Sequence, residues 1–92
     1  MQFRIRRHSG AGAPPDALGL LWRQLEGRRF EDVVFSHRGS EVEASSGHDS
    51  PISLERDERE QLARTEVLDC LREICDGVPE LRFDWFAVSP HR

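Results

Sequence analysis

"FEDVVFSHRGSEVEASS", residues 30–46, decides the fold. Val33 and Phe35 share one side of a period of two in its first arm, Val42 and Ala44 one side in its second. "RGS" between the arms supplies the turn, so the stretch reads as a β-hairpin. A hairpin between two helical segments belongs to an element order that favours an antiparallel sheet.

Upstream lies "PDALGLLWRQLEG", residues 15–27, in which Leu18, Leu21, Trp22 and Leu25 form one stripe of a helix. Pro15 suits the first turn, Asp16 complements the N-terminal dipole and Gly27 suits the position just past the end. Gly19 in the interior costs about 1 kcal/mol relative to alanine, which marks it for a tight packing contact. Downstream, Ala63, Val67, Cys70, Leu71 and Ile74 line one face of a longer helix over about 57–76. Asp57 and Glu60 resemble a capping box, and Gly77 with Pro79 forms a terminator. The outermost segments, "MQFRIRR" (1–7) and "LRFDWFAV" (81–88), both alternate and read as strands.

The order β-α-β-β-α-β predicts an α+β two-layer sandwich, one domain over 1–92, with both helices on one face of an antiparallel sheet. The ferredoxin-like split βαβ arrangement has this order. A five-stranded variant, with residues 51–55 as an extra strand, is the alternative.

The last strand sets what the bare face carries. Trp85 and Phe86 are neighbours and point to opposite sides. With Trp85 against the helices, Phe86 and Val88 project from the open face, joined by Val34 of the hairpin. Together with Arg4, Arg6, Glu43 and Arg82 they make an apolar-plus-arginine surface of the kind enriched at protein interfaces. A chain of 92 residues hides only about 60–65% of its unfolded surface and gains from further burial. The expectation is a non-catalytic protein-interaction module, of accessory, regulatory, inhibitor or immunity type. It would bind a protein partner or itself through the sheet, with no cofactor.

Composition narrows the alternatives. No apolar run reaches membrane-spanning length, and the basic N-terminal stretch is broken by Gly and Pro, so no targeting helix is expected and the cytoplasm is the default. Cys70 and Cys75 are too few for a disulfide scaffold; five residues apart on a helix, they diverge by about 140°. All thirteen basic residues are arginine. Residues 1–30 carry six of them against Asp16 and Glu26, a balance of +4, whereas residues 47–92 balance at −5. A second alternative therefore uses Arg4, Arg6, Arg7, Arg28 and Arg29 as a weak nucleic-acid patch. The net charge of −4 and the lack of interleaved aromatics argue against it.

The candidate chemical sites reduce to ordinary structure. "SSGHDSP", residues 45–51, groups Ser, His and Asp, but consecutive residues such as His48 and Asp49 do not converge, and the composition is that of a loop. His8, His37, His48 and His91 share no metal-ligand spacing, so no metal is expected. "RRHSGAGAPPD" resembles a phosphate loop, yet Pro14 and Pro15 lack the N–H donors such a site needs and Asp16 repels an anion. RNA-recognition domains of this topology need aromatics on the central strands; the outward residues here are Gln2, Arg4, Arg6, Glu41, Glu43 and Ser45. One enzymatic alternative survives: a site in a dimer cleft with His37 or His48 as general base beside Glu41, Glu43 or Asp49.

Overall fold

The computed structural model describes residues 1–39, 41–46 and 55–91. In chain order these form β1 (Gln2–Arg7), α1 (Ala17–Leu25), β2 (Val33–Arg38), β3 (Glu41–Ser46), α2 (Arg56–Gly77) and β4 (Phe86–Pro90). Short 3-10 turns cover Ser9–Ala11 and Phe83–Trp85. The architecture is α+β, with one four-stranded antiparallel sheet in the order β2-β3-β1-β4. The segment proposed as an extra strand falls largely on residues 51–54, outside the described residues.

The alternation read in the hairpin holds. Arg38 pairs with Glu41 across a two-residue turn, and Gly39 occupies it at φ 63°, where a side chain would be strained. Phe3, Ile5, Val33, Val42 and Ala44 are buried on one face, while Arg4, Arg6, Glu41, Glu43 and Val34 take the alternate positions. Phe3 pairs with Ala44 and Ile5 with Val42, which fixes the central register by burial. The backbone amine of Met1 donates to the Ser46 carbonyl at 2.9 Å, and the Ser46 N–H donates back at 2.8 Å. That exchange extends the β1–β3 ladder by one pair.

Both helices contribute to a single apolar cluster. Ala17, Leu21 and Leu25 come from α1; Ala63, Val67, Leu71, Ile74 and Cys75 come from α2. The spacings of three and four are those of one buried stripe on each helix. Several local expectations fail. The N-cap of α2 is Glu55, and its side chain makes no capping bond, so the Asp57–Glu60 box is not used. Gly77 stays helical and Val78 is the extended cap, its N–H donating to the Cys75 carbonyl at 3.3 Å. A Cβ on Gly19 would meet nothing within 4 Å, so no close packing explains that glycine.

The main correction concerns the last strand. Residues 81–85 are not strand: Leu81 is buried from a loop, and Phe83–Trp85 form the 3-10 turn. That turn resets the alternation, because one turn of 3-10 helix uses three residues where a strand phase repeats every two. Phe86 therefore enters β4 facing the core cluster, paired with Arg7, and Val88 follows it, paired with Ile5. They are 7% and 5% exposed and belong to the core.

Candidate functional site

The face of the sheet away from the buried cluster, the open face, is polar and electrostatically organised. Arg4 of β1 places its Nε 3.0 Å from Glu41 Oε2, and Arg6 places its Nε 3.8 Å from Glu41 Oε1. Arg4 sits directly opposite Glu43, so its ion pair runs diagonally across the ladder to Glu41. The Arg4 Nε is out of reach of solvent, yet its approach to Glu41 lacks hydrogen-bond alignment. The pair is thus held by charge and proximity more than by a directed bond. Glu43, directly opposite Arg4 on the same face, adds a second carboxylate, so Arg4, Arg6, Glu41 and Glu43 balance in charge.

Of the seven residues expected to bind a partner, four lie on this face: Arg4, Arg6, Val34 and Glu43. Val34 is 68% exposed, the most exposed large apolar side chain among the described residues. Phe86 and Val88 are core residues and do not reach the open face. Arg82 is exposed but precedes the 3-10 turn, off the sheet. The face is therefore less apolar than the sequence suggested, because its two strongest anchors turned inward.

Val34 also borders a groove of about 320 Å³ lined by Arg28, Arg29, Phe30, Val33 and Phe35. Phe30 and Phe35 meet edge to face with ring centres 5.3 Å apart. Sequence reasoning did not find this groove. Its signal was "RRF" at 28–30, an arginine pair beside an aromatic. A second groove, about 340 Å³, runs along α2 beside Glu58, Gln61, Leu62 and Thr65, where Leu62 is 47% exposed.

The basic residues do not merge into one patch. Arg4 and Arg6 share Glu41 on a central strand, Arg7 Nη1 donates to the Ala13 carbonyl at 2.9 Å, and Arg28 and Arg29 line the groove at the β2 edge. His37 pairs with Val42 and so lies in the core-facing phase of β2, opposite in phase to Glu41 and Glu43. Its ring stacks on Trp22 of α1, with centres 5.4 Å apart and planes at 19°. Those carboxylates are on the wrong face to orient it within one protomer; His48 and Asp49 lie outside the described residues. Among the described residues, no group of three His, Cys, Asp or Glu side chains is arranged to hold a metal ion.

The thiols are free and masked. Burial, reinforced by Glu73, Asp69, Glu66 and Asp32, pushes Cys70 from the ordinary 9.0 up to about 11. Burial, with Asp76 adding to it, also raises Cys75. A thiol held protonated is a poor nucleophile at neutral pH. Ser46 is a buried polar residue, 4% exposed, and its hydroxyl donates to Glu66 Oε2 at 3.0 Å, tying β3 to α2. No described helix is long and apolar enough to cross a membrane. No protein-family model matches the chain, and no curated protein or solved structure matches it.

Proposed function

We propose that the chain is a non-catalytic protein-interaction module that docks through the open sheet face, on the side bearing Val34. We read the β2-β3-β1-β4 order as a ferredoxin-like sandwich with both helices on one face, which leaves the other face for a partner. The observation that carries the reading is Val34, 68% exposed where that face meets the groove of Arg28, Arg29 and Phe30. An apolar anchor rimmed by arginines has interface character. Arg4 and Arg6, alternating with Glu41 and Glu43, would give a partner paired charges that fix its register on the face.

Phe86 is unsuitable for testing this, because an acidic residue there would disrupt the core. Val34→Asp and Arg4→Glu alter the face without touching buried apolar residues. Each should keep the helical circular dichroism of the parent while losing the proteins captured by the parent in a native pull-down. Variants that retain both the same captured proteins and the same solution mass would remove the reading. In this reading the module works in the cytoplasm, with a protein partner or a second copy of itself and with no nucleic acid.

A further inference from the structure

We propose that the groove beside β2 binds a linear protein segment that carries a carboxylate next to an apolar side chain. This rests on the interaction reading and names the chemistry of its partner. The groove holds about 320 Å³ and is lined by Arg28, Arg29, Phe30, Val33, Val34 and Phe35, so every charged group in its wall is a guanidinium. Among the described residues, neither arginine has a carboxylate within ion-pair distance. The acids nearest in sequence do not fill that role. Glu26, Glu31 and Asp32 are exposed and outside the lining, and the charge of Asp32 acts on the Cys70 thiol of α2.

The connection from α1 to β2 builds the wall. Gly27, at φ 82°, turns the chain out of the helix, and the Arg28 N–H donates to the Leu25 carbonyl at 3.1 Å. The two arginines follow at once, and Phe30 is then pinned edge to face on Phe35. Half-buried Phe30 and Phe35, with Val34 68% exposed, leave apolar surface that an incoming side chain can cover. Covering it removes water from around the guanidiniums and strengthens their attraction for a carboxylate. Acid and apolar group therefore reinforce each other, and a segment with only one of them gains less. The volume lies near the lower end of the ~300–1,000 Å³ range of binding pockets, room for one or two side chains of a short segment. Nucleic acid fits less well, because the chain carries a net charge of −4 and the groove offers only Arg28 and Arg29 to phosphates.

The test is fluorescence anisotropy of a labelled peptide of alternating aspartate and leucine titrated with the full chain, with amide NMR locating the site. Binding should saturate, weaken as salt rises, and shift amides centred on residues 28–35. Peptides with lysine in place of aspartate, or serine in place of leucine, should bind at least about tenfold more weakly. The Arg28→Glu/Arg29→Glu variant changes exposed residues, so it should keep the parent's circular dichroism while losing at least about tenfold in affinity. No saturable binding, equal binding of either control peptide, or an unaffected double variant overturns the proposal. So do shifts centred on Leu62 of α2, or tighter binding of a single-stranded oligonucleotide. If the proposal falls while Arg4→Glu still loses the captured proteins, docking on the sheet face stands and the partner has another chemistry.

Discussion

The hairpin β2–β3 and the segment ending in β4 carry the same kind of sequence signal, apolar residues at every second position, yet only the hairpin could be phased from it. In residues 33–46 the turn is short and marked by Gly39, so the phase of one arm fixes that of the other. In residues 81–90 the turn is hidden inside the alternation. "FDW" looks like strand by composition, with two aromatics around an acid, but it winds into a 3-10 turn whose Trp85 carbonyl accepts the His8 N–H at 2.6 Å. Periodicity gives spacing; it gives direction only when the starting point of the strand is known.

Substitutions can break or sharpen that contrast. The largest effect is expected at Phe86, where Phe86→Ala should cost about 3–5 kcal/mol in denaturant unfolding, as for aromatic truncation in a core. A loss under about 1 kcal/mol there would return Phe86 to the open face and undo the phase assigned to β4. The pair from the hairpin is Val34, one position removed from a core residue: Val34→Ser should stay within about 0.5 kcal/mol, as at other exposed sites. The size of the gap between these two variants measures the difference between the two regions.

Ser46→Ala probes where the hairpin meets α2. It removes a hydroxyl that donates to Glu66 and should lower stability by about 1 kcal/mol. Unchanged unfolding would mean that the contact contributes nothing net. Gly19→Ala has the opposite sign. The helix interior there has room for a Cβ, so the variant should gain about 0.4–1 kcal/mol and a higher melting temperature. Destabilisation would reveal a steric partner that the fold does not show.

The pH dependence is smaller and directional. The folded Cys70 thiol is held near 11, above its ordinary 9.0, so the folded state keeps its proton longer than the unfolded chain does. Below 9.0 both states are protonated and stability is unaffected by this group; between 9.0 and about 11 stability should fall as pH rises. Cys75, also raised, acts in the same direction. A Cys70→Ala/Cys75→Ala variant should flatten that alkaline decline, measured by melting temperature against pH. An equal decline in the variant would assign it to other groups.

The candidate site was legible in proportion to how local its determinants are. Arg4, Arg6 and Glu43 alternate within short, unbroken strands, and their face was readable from Phe3, Ile5, Val42 and Ala44 beside them. That Arg4 reaches past Glu43 to Glu41 was not readable, because diagonal pairing depends on register between strands forty residues apart. The groove at Arg28–Phe35 required knowing that the α1–β2 connection folds beside the strand it precedes.

By itself the sequence determined the order of strands and helices, the stripe of each helix and the inward residues of β1, β2 and β3. Those follow from chain periodicity and turn chemistry, which act over a few residues. Only the tertiary structure decided that Phe86 and Val88 complete the core, that Glu41 bridges two arginines, and that β2 and β4 are the outer strands of the described sheet. These depend on where a strand starts and on which distant segment it meets. Hydrophobic burial fixes both through the whole packed core at once, and no local pattern encodes that choice.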